Sequence, residues 1–169
     1  MAKVSLPEQL LRGVEMYPLK RIMRPALANF LRNPTPFSLL KGIRPPKVAH
    51  VQTDGSFKDI SRTAVLLRTT KPEDFALRTT YFDHKNSGHS EWCSVLDGIL
   101  LAKRKDQGSL ELENDCLGVI QALTRKRQPR DQLSAYFYTA IYRELKELDH
   151  CGIRWIPREL NKADDLFRR

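Results

Sequence analysis

The sequence predicts an α/β fold: a mixed five-stranded sheet flanked by helices, preceded by a basic, helical extension. Three observations lead there. Apolar residues alternate with period two in three successive runs, then switch to helical spacing. Strand-like and helix-like runs continue in the order β-β-β-α-β-α-α-β-α, which suits a sheet with helices packed on it. Positive charge is concentrated ahead of these runs, with nine Lys/Arg against two Glu in residues 1–48, a net of +7 out of the chain's +9.

Within that extension, residues 7–17 place Leu10, Leu11, Val14 and Met16 roughly on one side. Residues 19–31 set Ile22, Met23, Leu27 and Phe30 against Lys20, Arg21 and Arg24. Both stretches have helical spacing. Pro34, Pro36, Pro45 and Pro46 mark 34–47 as an irregular linker. From Val48 the pattern changes. Residues 48–57 alternate and run into Asp54-Gly55, a strand entering a turn. Residues 63–69 and 75–82 are two further strands. Residues 90–105 form a helix through Trp92, Val95, Leu96, Ile99, Leu100 and Ala102. A short strand over 109–113 enters Asn114-Asp115, and a helix continues to about 124 with Leu117, Val119, Ile120 and Leu123. The longest helix, 131–148, carries Leu133, Tyr136, Phe137, Ala140, Ile141 and Leu145. Residues 153–156 give the last strand and 160–168 a terminal helix. The division is therefore an extension and linker over 1–48 and one domain over 49–169, within the size of a single core.

Composition narrows the function. No apolar run approaches the ~20 residues of a membrane span, and the first residues lack the apolar core of a secretory leader. Cys93, Cys116 and Cys151 are an odd count without a CxxC pair, which indicates neither a disulfide framework nor a zinc site. An intracellular protein with reduced, core thiols is expected. A net charge of +9 and a pI near 9.7 favour a polyanionic partner, nucleic acid or an acidic membrane surface.

Four carboxylates fall at element ends. Asp54 closes the first strand in Thr53-Asp54-Gly55-Ser56, and Glu91 opens the first helix of the domain in Ser90-Glu91-Trp92. Asp115 follows the fourth strand, and Asp164 begins the last helix in Asn161-Lys162-Ala163-Asp164. Such positions can converge at one edge of a sheet. Each acid alone has an ordinary reading, as a turn residue, an N-cap or a first-turn acid favoured by the helix dipole. Gathered, they would raise one another's pKa values, and hard divalent cations would relieve the repulsion.

In this order and on these elements the blocks resemble the four motifs of the ribonuclease H family. The last, Pro157-Arg158-Glu159-Leu160-Asn161-Lys162-Ala163-Asp164, is closest to plant-type and retroelement versions. The likeness covers about 49–168. It implies two-metal hydrolysis of the RNA strand of an RNA–DNA hybrid, using Mg²⁺ or Mn²⁺. Asp54 would bridge two ions, Asp164 would serve the water side, and Glu91 with Asp115 the leaving-group side. RNA would be told from DNA by its 2′-hydroxyl. Ser56, Asn86, Ser87, Arg125, Lys126, Arg127, Arg158 and Asn161 are the expected nucleic-acid contacts. The chain departs from the family in having no His in 155–159, where Arg158 stands, and in replacing the glycine-rich first turn with Lys58-Asp59-Ile60-Ser61.

Other residues read as structural: His89 as loop surface, Trp92 and Trp155 as core aromatics, Asp97 and Glu113 as surface acids. The extension would grip phosphates or dock onto a larger ribonucleoprotein or viral assembly. The rival function is a nucleic-acid-binding scaffold that kept the fold and lost turnover. A junction-resolving nuclease of the same fold matches the motifs less well.

Overall fold

The computed structural model of the chain describes residues 15–18 and 37–168. The alternating run read from Val48 forms β3 (Ala49–Phe57), which turns into β4 (Ser61–Arg68) and β5 (Asp74–Tyr81) as an antiparallel meander. The first helix of the domain, α1 (Ser87–Arg104), returns the chain to β6 (Ser109–Asn114), parallel to β3. Two helices, α2 (Leu117–Thr124) and α3 (Gln132–Leu145), lead to β7 (His150–Trp155), parallel to β6. The five expected strands and three of the expected helices are therefore in place. Their bounds shift by a few residues.

The sheet is wider than expected. Two strands come from the segment read as arm and linker: β1 (Glu15–Pro18) pairs with β5, and β2 (Phe37–Lys41) pairs with β7. The order is β1-β5-β4-β3-β6-β7-β2. An unpaired rim offers a row of free N–H and C=O groups, and the backbones of β1 and β2 pair with those of β5 and β7. The prolines bracket β2 instead of dissolving it. Of the two helices expected over 7–17 and 19–31, residues 15–17 are strand and the rest lie outside the described residues.

The terminal helix is also absent. Residues 158–168 hold two 3₁₀ turns, Arg158–Leu160 and Asp164–Arg168. Asn161 lies between them, and its Oδ1 accepts from the Ala163 N–H at 3.2 Å, a local bond that competes with helix formation.

The helix α1 is the hub of the core. It packs on β3 and β4 with α3 behind it, so most of its faces are enclosed. Val51, Val65, Leu67, Trp92, Val95, Ile99, Leu112, Phe137, Ile141 and Ile153 join in one cluster. Gly98 permits the close crossing: a Cβ there would sit 2.6 Å from Thr53 Cγ2 and 2.9 Å from Val51 Cγ1. Three expectations are corrected, those for Asp97 and His89 by the enclosure of α1 and that for Glu113 by its place in the middle of the sheet. Asp97 is buried in α1, where its carboxylate accepts from Thr63 Oγ1 at 2.5 Å and Tyr81 Oη at 2.8 Å. Burial pushes its pKa up to about 6 against those two bonds. Glu113 is buried on β6, between two neighbouring strands, and pairs with Arg154 and Gln52. His89 lies within α1 and not in a loop. It is buried, and its Nε2 lies 3.0 Å from Asp131 Oδ1, the N-cap of α3. Trp92, Cys93 and Cys151 are core residues as expected, Cys116 and Trp155 are partly covered, and the three thiols are free. No helix of the described residues is long and apolar enough to cross a membrane.

Candidate metal centre

The carboxyl end of β6 lies beside the middle of β3, with Asn114 opposite Thr53. Because β3 stays paired with β4 as far as Phe57, Asp54-Gly55 lies within the strand and does not close it in a turn. Strand alternation turns Thr53 toward α1 and Asp54 to the other side. Just beyond, Gly55 lets the first turns of α1 approach the strand. A Cβ at Gly55 would lie 2.3 Å from the Ser90 carbonyl carbon and 2.4 Å from the Glu91 nitrogen. The Gly55 N–H then donates to Glu91 Oε2 at 3.2 Å. Helix α1 begins three residues earlier than expected because Asn86 caps it, its Oδ1 accepting from the His89 N–H at 3.0 Å. Glu91 is therefore the fifth residue of the helix and does not open it.

Asp115 sits between β6 and α2, whose N-cap is Cys116, so it does not begin the helix either. Its carbonyl oxygen accepts from Trp155 Nε1 at 2.8 Å. The result is convergence. Asp54, Glu91 and Asp115 each offer an oxygen, and these oxygens lie within 4.8 Å of one another.

Asp164, the fourth expected acid, stands outside that trio but next to Asp54, whose charge it opposes. Its Oδ1 is 3.1 Å from Arg158 Nη2 and its Oδ2 is 2.7 Å from Arg168 Nη2.

The electrostatics follow from this crowding. Burial, then the charges of Glu91, Asp115 and Asp164, raise Asp54 to about 8. Burial and Asp115 raise Glu91 to about 8, against hydrogen bonds from Asn114 and Gly55. Burial also raises Asp115, countered by Asn161 and Arg158. Burial works against the charge of Asp164 too, yet bonds from Arg158 and Arg168 outweigh it and hold that carboxyl below the usual range. Among the described residues, Asp54, Glu91 and Asp115 thus have no salt-bridge partner to offset their charge, while Asp164 has two. Oxygen-rich sets of this kind suit Mg²⁺ or Mn²⁺.

Two amides hold the trio, and sequence reading missed the work of both. Asn114, fully buried, donates through Nδ2 to the Thr53 carbonyl at 3.0 Å and to Glu91 Oε2 at 3.3 Å. Asn161 was expected to touch nucleic acid but is turned inward at 2% exposure. Its Nδ2 donates to the same Thr53 carbonyl at 2.8 Å and to Asp115 Oδ1 at 3.3 Å. The sequence signal was there in part, since each Asn stands beside or three residues before an acid.

The remaining expected contacts come from four separate parts of the chain. Ser56 lies on β3 opposite Arg62 and is half-buried. Asn86 and Ser87 are exposed at the start of α1. Asn86 also lines a cleft of about 540 Å³ with Lys85, His89, Asp131 and Tyr136 among its other walls. Arg125, Lys126 and Arg127 are exposed at the far end of α2, about 12 Å of helix from Asp115. Arg158 is exposed and engaged with Asp164.

Comparison with solved structures finds this architecture repeatedly. RNase H1 from the halophilic archaeon Halobacterium salinarum is similar with a TM-score of 0.63 and 18% identity, over 70% of this chain and 92% of that one. The N-terminal RNase H domain of a Mycobacterium tuberculosis protein, solved as a fusion with maltose-binding protein, follows at 0.61 and 14%, over 71% and 90%. LC11-RNase H1 in complex with an RNA/DNA hybrid is similar at 0.57 and 16%, over 70% and 92%. At such identities the likeness speaks for the fold. A comparison with curated protein sequences returned no match. Residues 52–167 match the family described as reverse transcriptase-like. With most of its length in that match, the chain belongs to the reverse transcriptase-like family, and its fold is that of the ribonuclease H structures it resembles.

Proposed function

We propose that this chain is a metal-dependent endonuclease that hydrolyses the RNA strand of RNA–DNA hybrids. One observation carries the reading: Asp54, Glu91 and Asp115, from three separate parts of the chain, bring oxygens within 4.8 Å of one another beside the carboxyl end of β6. Among the described residues no salt bridge reaches any of the three, while Asp164 has two.

Asp54, Glu91, Asp115 and, once its arginines yield, Asp164 would hold two Mg²⁺ or Mn²⁺ ions. When bound, such ions supply an activated water and stabilise the departing oxygen. The chain's own contribution is placement. Asn114 and the Gly55 N–H fix Glu91, and Asn161 fixes Asp115, so the acceptor atoms are set before substrate arrives. Ser56 follows Asp54 on β3, Asn86 and Ser87 begin the helix that carries Glu91, and Arg158 pairs with Asp164. Arg125, Lys126 and Arg127 stand exposed just past α2. These groups would meet the phosphates of a bound duplex. Support also comes from LC11-RNase H1, a protein of this fold whose structure contains an RNA/DNA hybrid.

The second reading, a nucleic-acid-binding scaffold without turnover, draws on one feature, the two arginines that already neutralise Asp164. A single assay separates them. A labelled hybrid is incubated with the chain in Mg²⁺, in EDTA, and with Asp54→Asn. Cleavage is expected only for the unaltered chain in Mg²⁺. Hybrid binding with no cleavage under any condition would replace the nuclease with the scaffold.

A further inference from the structure

Asp164 differs from the other three acids because both of its oxygens are engaged, each by a different guanidinium. Its side chain is 9% exposed, whereas those of Arg158 and Arg168 are each 72% exposed. Arg158 belongs to the 3₁₀ turn before Asn161, and Arg168 closes the turn that Asp164 opens. The acid is thus approached by a cation from each side of one short segment. Arg168 was singled out by no motif.

We infer that Arg168, together with Arg158, is a positioning residue of this site: the pair occupies Asp164 as an internal counter-cation and competes with a divalent ion for it. This rests on the proposed metal site and adds which of the chain's own groups must give way when an ion enters. A guanidinium and a divalent cation seek the same oxygens, and they repel each other. A carboxylate bearing two guanidinium charges therefore attracts an ion less than a bare one does. The arginine stems stand largely in solvent, where ion pairs are weak, so withdrawing either side chain is easy. Once withdrawn, each guanidinium stays tethered within a few residues of the acids and is free to pair with a phosphate oxygen.

A purely structural role forecasts something else. Arginines that only pin the last turn would affect stability and leave metal affinity alone. The test is Mn²⁺ binding to the full chain without nucleic acid, by titration calorimetry and by Trp155 fluorescence. Trp155 reports on the site because its indole N–H is bonded to the Asp115 carbonyl. Arg168→Gln and Arg158→Gln are titrated beside the unaltered chain, with Asp54→Asn as the blank. Arg168→Gln is expected to bind Mn²⁺ roughly three- to tenfold more tightly, with the gain shrinking as monovalent salt rises. Equal or weaker binding by both variants overturns the inference, and a changed melting temperature in EDTA beside it marks the purely structural role. If Arg168→Gln does not fold, Arg158→Gln decides by the same criterion. Tighter Mn²⁺ binding in a chain that cleaves no hybrid keeps this inference and removes the nuclease reading. Cleavage with unaltered Mn²⁺ affinity does the reverse.

Discussion

Replacing Asp54 by Asn keeps the shape of the side chain and deletes one charge from the crowded acid trio. The consequence for stability can be worked through. In the unfolded chain an Asp titrates near 3.9, whereas in the folded chain Asp54 is raised to about 8. A raised acid binds its proton more tightly in the folded state. Its relative stabilisation is therefore complete below about pH 4 and is lost as the pH climbs toward 8. At about pH 7 the folded chain must hold a proton that the unfolded chain has released, or carry an unwelcome charge. Three pH units above the unfolded value correspond to about 4 kcal/mol. Glu91 shares the repulsion and loses part of it in the variant, and the new amide gives back some hydrogen bonding. A net gain on the order of 2–4 kcal/mol remains. For a chain of this size that is roughly 5–15 °C in melting temperature. The assay is thermal unfolding in EDTA near pH 7, with and without Asp54→Asn, followed by the same pair in Mg²⁺. The variant should melt higher in EDTA and gain little from Mg²⁺, while the unaltered chain gains clearly. A variant that folds normally yet melts at or below the unaltered chain in EDTA would refute the electrostatic account of the site.

Other outcomes follow from the same geometry. Stabilisation by Mg²⁺ should grow between about pH 6 and pH 9, because Asp54 and Glu91, both raised to about 8, ionise only in the upper part of that window; a flat thermal shift across the range would count against it. Gly55→Ala should cost about 2–3 kcal/mol or more in urea unfolding, since the added carbon meets backbone atoms of Ser90 and Glu91 at 2.3 and 2.4 Å. A loss under about 0.5 kcal/mol would mean that α1 can retreat without penalty. Asn114→Ala strands the bonds it makes to Thr53 and Glu91. It should lower stability by about 1–3 kcal/mol and weaken Mn²⁺ binding in calorimetry, and unchanged binding would remove Asn114 as the holder of Glu91. Changing Arg125, Lys126 and Arg127 together to Ala should reduce the salt slope of hybrid binding by up to about 3. An unaltered slope would place the hybrid elsewhere.

Much of this molecule could be read from its residues because periodicity and turn chemistry are local. The alternation of 48–57 and the apolar spacing of 90–105 each state which face is covered, and β3 and α1 formed accordingly. The acids were found through the order of four motifs on those elements. Most of what escaped depends on partners distant in sequence. Nothing near Asp97 announces that Thr63 and Tyr81 will meet it in the core. Strands β1 and β2 form where the rims of an existing sheet await them, a circumstance invisible within 1–48. Asn114 and Asn161 look like ordinary polar neighbours of acids until both are seen to donate to the one carbonyl of Thr53. Arg168 stands four residues after Asp164, a spacing that brings the two together in the last turn, but no motif marks it as a partner of that acid.

The pairing of β1 with β5 and of β2 with β7 also bears on how the domain can be isolated. Composition invites a cut at Val48, where the basic stretch gives way to near-neutral sequence. That cut would strip both margins of the sheet at once, leaving β5 and β7 with backbone groups ready to recruit strands from other molecules. A truncated preparation should therefore be stickier than the whole chain, and its poor behaviour would say nothing about the chemistry of its acids.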